Sequence, residues 1–169
     1  MPRFAKECAA ADPTGFALVD GDRELTWLQV DDALNRCANL LLEADRDGDL
    51  GVSHRIAVFA ENAAETALAH LGGLLAGASS VPVNFHLTAS ETAYILSDSD
   101  SRVLFVGPET VERGLEAARD AGVPLVIGWN CNGIGGVVDW DTWLAGGSTD
   151  DPPDEVVPRP NLLYTSGTT

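Results

Sequence analysis

The chain has 169 residues, a length that suits one domain with a sizeable buried core. Its 10 Lys and Arg against 26 Asp and Glu give a net charge of −16 with no basic stripe, which makes nucleic acid a poor partner. No apolar run approaches the ~18 residues of a membrane-spanning helix, and Met1 is not followed by an apolar signal-peptide core. We therefore expect a cytoplasmic chain without a transmembrane segment.

The N-terminal part begins with a predicted hairpin and a long helix. Residues 16–19 and 24–26 read as two short strands around an Asp-Gly turn. Thr26 lies three residues before Gln29, which is the spacing of a capping box, and apolar residues then follow at helical intervals. This pattern predicts a helix that starts at Thr26 and buries one face.

Short apolar runs alternate with helical patterns in the next part of the chain. The runs read as strands over residues 56–59, 78–83, 103–106 and 124–127. Helices are predicted to open at Asn62 and at Thr88, each of which has a Glu three residues later, and at Glu109. Strand-helix-strand units of this size predict an α/β fold class, with a mostly parallel sheet and flanking helices.

Composition divides the chain into three parts. Residues 1–127 carry the α/β pattern, and residues 128–160 form a Gly- and Pro-rich connecting segment with a short helix at 139–144. Residues 161–169 read as a strand over 162–164 that runs directly into a polar loop. A parallel-sheet domain that stops at an unfinished strand-to-loop turn lacks its next elements, so we expect a truncated chain.

The polar loop, Thr165-Ser166-Gly167-Thr168-Thr169, is the strongest candidate for a ligand site. Its glycine lets the backbone approach a ligand closely, and successive N–H and hydroxyl groups offer donors to phosphate oxygens. By itself the pattern is weak, because loops rich in Ser, Thr and Gly are common on surfaces. It is not a Walker loop, since the GK[ST] ending is absent.

Five motifs in order resemble the adenylate-forming (AMP-binding) superfamily, which includes acyl-CoA synthetases, luciferases and peptide-synthetase adenylation domains. The string NLLYTSGTT at 161–169 resembles the first two-thirds of the ATP-phosphate loop of that family. The other four motifs lie at residues 25–28, 55–62, 75–84 and 94–105. Within the superfamily, VPVN followed by FHLT at 81–88 is most similar to acyl-CoA and aryl-CoA ligases.

The resemblance implies a ligase of two steps that uses ATP, Mg²⁺ and CoA. The carboxylate of a small-molecule acid attacks the α-phosphorus of ATP to give an acyl adenylate and pyrophosphate, and the CoA thiol then displaces AMP. Residues 165–169 would bind the ATP phosphates, and the Thr168 hydroxyl would bind Mg²⁺. Some CoA ligases carry an arginine near the CoA 3′-phosphate at the position of His86, so His86 is a candidate CoA contact. The alternative is a surface histidine without a ligand.

Family members are longer than this chain and carry their catalytic lysine and ribose-binding aspartate downstream. We therefore expect no catalytic residue within residues 1–169, no activity from this chain alone, and a requirement for the missing remainder of the enzyme. Two alternatives stay open: an adenylating enzyme that delivers to a carrier-protein thiol, and a non-catalytic remnant that serves as a binding or assembly module. Asp98 and Asp100 are predicted to solvate a turn and not to form an acid/base pair.

Overall fold

The computed structural model describes residues 4–165, which form six helices and seven strands. In chain order these are α1 (Phe4–Ala11), β1 (Phe16–Asp20), β2 (Arg23–Thr26), α2 (Trp27–Arg46), β3 (Arg55–Phe59), α3 (Ala64–Leu75), β4 (Ser79–Val83), α4 (Ala89–Asp98), β5 (Val103–Val106), α5 (Val111–Ala121), β6 (Leu125–Gly128), β7 (Val138–Asp139) and α6 (Trp140–Ala145). None of these helices has the length and apolar content that crossing a membrane requires.

A five-stranded parallel sheet in the order β4-β3-β5-β6-β7 forms the centre of the fold. Successive residues of a strand face opposite sides of a sheet, and β3 shows this directly. Ile56 and Val58 pack in one apolar cluster with α2 and α3, while Ala57 and Phe59 pack in a second cluster with α4 and α5. The predicted fold class, a mostly parallel α/β sheet with flanking helices, is confirmed.

The N-terminal elements agree with the predicted hairpin and capping box. Strands β1 and β2 pair antiparallel, and Gly21 takes the positive φ of +60° that their tight turn requires. Thr26 caps α2: its hydroxyl accepts from the Gln29 N–H, and the Gln29 side chain accepts from the Thr26 N–H. The second predicted capping box, Thr88 with Glu91, is present at the start of α4.

The predicted start of α3 at Asn62 is wrong. The helix begins at Ala64, and its N-cap residue Ala63 offers no side-chain hydrogen bond. The acceptor comes instead from the hairpin, because Asp20 Oδ2 accepts from the Ala64 N–H at 2.9 Å. Arg23 of the same hairpin forms an ion pair with Glu65, which is buried. The hairpin thus supplies the capping oxygen that the local sequence does not provide.

The segment after β6 takes part in the sheet and the core. The predicted helix at 139–144 is α6, and Asp139 caps it by accepting from the Thr142 N–H at 2.9 Å. Trp140 is 1% exposed and packs edge-on against Phe105, with their ring centroids 5.8 Å apart. The short strand β7, which the sequence did not predict, extends the sheet beside β6. Part of the Gly- and Pro-rich segment is therefore structural core.

The expected strand over residues 162–164 is not formed, and these residues are extended chain beside β4. β4 is an edge strand that contains Pro82, whose missing N–H shortens any ladder along that edge. Three hydrogen bonds hold the extended chain: Arg159 Nη1 to Gly77 O at 2.8 Å, Ser79 Oγ to Pro160 O at 2.8 Å, and Leu162 N to Ser80 O at 3.0 Å. The extended chain thus has one backbone hydrogen bond to β4, whereas a paired strand would have a series of them.

Candidate functional site

A cleft of about 580 Å³ lies at the carboxyl end of β4, which is where parallel α/β sheets commonly bind ligands. Its walls come from three parts of the chain: the end of β4 with the loop after it, one side of α4, and the extended chain beside β4. The lining residues are Pro82, Asn84, Leu87, Ser90, Glu91, Tyr94, Ile95, Tyr164 and Thr165. Thr165, the first residue of the predicted phosphate loop, is therefore brought beside the loop that carries His86.

The loop of residues 84–88 connects β4 to α4 and is held by its own turn. Asn84 O accepts from the Leu87 N–H at 3.0 Å, and Asn84 Oδ1 accepts from the His86 N–H at 3.0 Å. The His86 side chain is exposed, and its ring packs at a tilt against Phe85 with centroids 4.0 Å apart. His86 is thus presented to solvent at the cleft end of the sheet, although it does not line the cleft itself.

Arg113 of α5 fixes the far end of this loop. Its guanidinium donates to Leu87 O and lies 5.2 Å from the centroid of the Phe59 ring. A cation over an aromatic face gains attraction from the ring quadrupole and keeps its stem packed. The loop that presents His86 is therefore held by Arg113, which links it to the core residue Phe59, and by its own turn.

The acidic side chains around the cleft are engaged by local donors. Glu91 accepts from the Thr88 backbone N–H at 2.9 Å and from the Thr88 hydroxyl at 2.8 Å. These hydrogen bonds, the backbone one first, hold the pKa of Glu91 below its usual range. Asp98 Oδ2 accepts from the Tyr164 hydroxyl at 2.6 Å. Both carboxylates thus have partners within the protein.

Of the predicted phosphate-loop residues, Thr165 is exposed at the cleft, and Ser166, Gly167, Thr168 and Thr169 lie outside the described residues. Thr168 is also the predicted metal ligand. Among residues 4–165, no group of three or more His, Cys, Asp or Glu side chains is placed to hold a metal ion.

One hydrogen bond beside the cleft could not be found from sequence. The sequence places Tyr164 in a strand and Asp98 in a solvated turn, yet their side chains meet across 66 positions of sequence. No motif spacing signals such a pair. The only local signal is that Tyr164 directly precedes the predicted loop.

The chain matches the model of the family described as AMP-binding enzyme over residues 5–169. Acetate/butyrate–CoA ligase AAE7 of Arabidopsis thaliana, described as peroxisomal, is 31% identical over 187 residues, covering 98% of this chain and 32% of the relative. Long-chain-fatty-acid–CoA ligase FadD13 of Mycobacterium tuberculosis is 33% identical over 158 residues, covering 88% of this chain and 28% of the relative. The chain spans about a third of the length of these relatives.

Solved structures agree with the sequence comparison. The anthranilate CoA ligase AuaEII, crystallised with anthranoyl-AMP, superposes with a TM-score of 0.78 at 25% identity, covering 96% of this chain and 30% of that protein. The family match spans nearly the whole chain, and the parallel sheet is shared with an adenylate-forming CoA ligase. The chain therefore belongs to the AMP-binding, or adenylate-forming, enzyme family and is most like its acyl-CoA synthetases.

Proposed function

We propose that residues 1–169 are the N-terminal part of a carboxylate-activating ligase that makes an acyl adenylate from ATP and then an acyl-CoA thioester. The observation that carries this proposal is the shared cleft at the carboxyl end of β4. Thr165 of the predicted phosphate loop and Asn84 of the loop that presents His86 line the same cleft. Groups assigned to the two half-reactions thus lie at one end of one sheet.

In the first half-reaction the loop positions ATP. Amide and hydroxyl groups of residues 165–169 donate to the phosphate oxygens and present the α-phosphorus to the acid's carboxylate, which is catalysis by orientation and charge stabilisation. Glu91 accepts from the Thr88 hydroxyl and Asp98 from the Tyr164 hydroxyl, so both carboxylates already have donors within the protein. The net charge of −16 opposes the approach of ATP, so short-range donors must overcome the overall field.

Magnesium would be held by Thr168 together with the nucleotide's phosphate oxygens, and it would supply neutralisation of phosphate charge. Among residues 4–165, no group of three or more His, Cys, Asp or Glu side chains is placed to hold the metal instead. We further propose that the enzyme acts in the cytoplasm.

In the second half-reaction His86 contacts the 3′-phosphate of CoA. The His86 side chain is exposed, and Asn84 and Arg113 fix the loop that carries it. The imidazole is therefore accessible to a nucleotide that binds from solvent. An arginine would bind the phosphate better, because its charge is permanent and its planar donors match phosphate geometry. The expected CoA contact at this position is therefore weak.

The isolated 169-residue chain, incubated with Mg-ATP, labelled pyrophosphate and a panel of fatty and aromatic acids, should give no exchange of label into ATP. The complete enzyme should give exchange that depends on the acid. Exchange by the isolated chain above a no-enzyme control would overturn the assignment of the catalytic groups to the missing remainder.

The phosphate loop is tested in the complete enzyme by Gly167→Val, which adds a branched side chain where a phosphate oxygen approaches the backbone. Pyrophosphate exchange should fall by at least an order of magnitude. Gly135→Val is the matched control, because an added Cβ at Gly135 meets nothing within 4 Å and that loop is exposed. Equal exchange in the two variants would contradict the loop assignment.

The acceptor is tested by single-turnover transfer from the acyl adenylate to CoA or to a carrier protein bearing a phosphopantetheine thiol. His86→Ala should leave pyrophosphate exchange intact and raise the apparent KM for CoA, whereas His86→Arg should lower it. Transfer to the carrier protein alone would establish the carrier-dependent alternative. A complete protein without exchange for any acid would favour a binding or assembly module.

A further inference from the structure

The hydrogen bond between Tyr164 and Asp98 joins the start of the predicted phosphate loop to the end of helix α4. The Tyr164 hydroxyl donates to Asp98 Oδ2 at 2.6 Å, and Thr165 is the next residue. The Tyr164 ring also packs with the apolar cluster beneath α4 and α5, together with Leu162. Leu163 between them is 67% exposed. The last side chain before the loop is thus held at both its ring and its hydroxyl.

The backbone that carries Asp98 is anchored to the core. It is the last residue of α4, and the next residue, Ser99, is fully buried. Ser99 O accepts from Arg55 Nη1 at 2.6 Å, and Ser99 Oγ lies 2.7 Å from Ser101 Oγ. Because β3 carries Arg55 and the core encloses Ser99, the backbone at the end of α4 has a defined position relative to the sheet, while the Asp98 side chain itself is exposed.

The Tyr164 hydroxyl stays a donor over the physiological pH range. Burial first, and then the hydrogen bond to Asp98 and its negative charge, raise the pKa of Tyr164 to about 12. The hydroxyl therefore keeps its proton near neutral pH, and the carboxylate keeps its partner. Hydrogen bonds to a charged acceptor are stronger than neutral ones.

We propose that Tyr164 and Asp98 are positioning residues of the phosphate loop, in that their hydrogen bond sets the direction in which the chain leaves the edge of β4 at Thr165. This inference rests on the proposed function of residues 165–169. Upstream, the bonds from Arg159, Ser79 and Leu162 already hold the chain along β4. The phenol bond is the last of these attachments before the loop, and hence the one with the most direct control over its first residue.

A positioning role and a merely structural role make different predictions for kinetics. Loss of a structural hydrogen bond lowers stability but leaves the Michaelis constants of the surviving folded enzyme unchanged. Loss of loop positioning raises the KM for ATP, since nucleotide binding must then also order the loop. The KM for CoA, which is assigned to the separate loop at His86, should not change in either case.

The experiment uses the complete enzyme with Tyr164→Phe, Asp98→Ala, the double variant and Asp98→Asn. Tyr164→Phe and Asp98→Ala should each raise the KM for ATP in pyrophosphate exchange by about five-fold, which is the effect of one lost hydrogen bond. The double variant should be no worse than either single variant, because both remove the same bond. Asp98→Asn keeps an oxygen acceptor and should restore most of the affinity.

Ser53→Ala is the matched control, because Ser53 Oγ donates to Asp100 O at 2.6 Å in the turn just beyond α4, a bond in which neither Tyr164 nor Asp98 takes part. It should lower the unfolding midpoint without changing the KM for ATP. A KM for ATP in Tyr164→Phe equal to that of wild type, or additive effects in the double variant, would overturn the positioning role. If Gly167→Val also leaves exchange unchanged, the phosphate-loop assignment itself has failed; if only Gly167→Val abolishes exchange, the positioning role alone is refuted.

Discussion

The strand-helix units of residues 55–128 and the strap, defined as residues 146–165, are held in place largely by different physical means. Strand residues such as Ile56 and Phe105 are fully buried between helices, so apolar burial fixes them. The strap has no helix or strand within the described residues; long-range hydrogen bonds hold most of it, and Leu162 and Tyr164 add apolar contacts near its end. The strand-helix units thus follow from local sequence patterns, whereas the position of the strap depends on contacts with residues distant in sequence.

The first half of the strap lies across helix α2, where polar side chains donate to its backbone oxygens. Asn35 Nδ2 donates to Thr149 O at 3.1 Å, Arg36 Nη1 to Gly147 O at 2.7 Å, and Asn39 Nδ2 to Ser148 O at 3.0 Å and Asp150 O at 2.8 Å. Lys6 adds an ion pair with Asp151. Asn and Arg side chains of α2 therefore satisfy backbone oxygens of the strap that a neighbouring strand would satisfy in a sheet.

The largest effect should come from breaking the buried part. Phe105→Ala empties a site that is fully enclosed and touched edge-on by Trp140 and Trp143, so we expect a loss of about 3–5 kcal/mol in urea unfolding. Phe16→Ala is the control, because Phe16 is 64% exposed on the hairpin and should lose far less. Similar losses in both variants would mean that this core does not hold the sheet together.

A smaller effect should come from releasing the strap. Asn35→Ala removes a buried donor and leaves Thr149 O without that partner, which should cost about 1–2 kcal/mol and speed cleavage after Glu155 by a glutamate-specific protease. Glu43→Ala on the same helix removes only an exposed ion pair with Arg46 and should change neither quantity measurably. Unchanged cleavage in Asn35→Ala would show that the strap is held elsewhere.

This contrast explains what the sequence could predict. The strands at 55–59 and 103–106 and both capping boxes are recognisable from patterns within a few residues, because periodicity and capping spacing are local signals. The two-residue strand β7 escapes prediction because it is short, and helix α1 is not predicted either. The start predicted for helix α3 is wrong because its capping oxygen comes from Asp20, 44 residues upstream.

The candidate site shows the same division. The loop at 84–88 and the polar loop at 165 are identified from motifs, and the order of the strands brings them to one cleft. The bond from Tyr164 to Asp98 joins residues 66 positions apart and has no periodic signature. Side-chain bonds between distant segments depend on the completed fold, which is why local patterns assign both residues to other roles.

The smallest effect should appear in the pH dependence of stability, through a histidine at the junction of the two parts. His70 of α3 lies with Nδ1 2.7 Å from Ser80 Oγ, and Ser80 O in turn accepts from the Leu162 N–H of the strap. Burial lowers the pKa of His70, because the imidazolium loses hydration there. The unfolded chain, with a histidine pKa of about 6.5, therefore binds more protons than the folded chain just below that pH. The free energy of unfolding should be constant above about pH 6.5 and should fall as the pH drops towards the lowered pKa.

His70→Asn keeps a polar group near Ser80 but cannot titrate, so urea unfolding between about pH 7.5 and 5.5 should show a flatter profile than wild type. Parallel profiles for wild type and His70→Asn would show that other groups cause the pH dependence of stability and that His70 does not contribute to it.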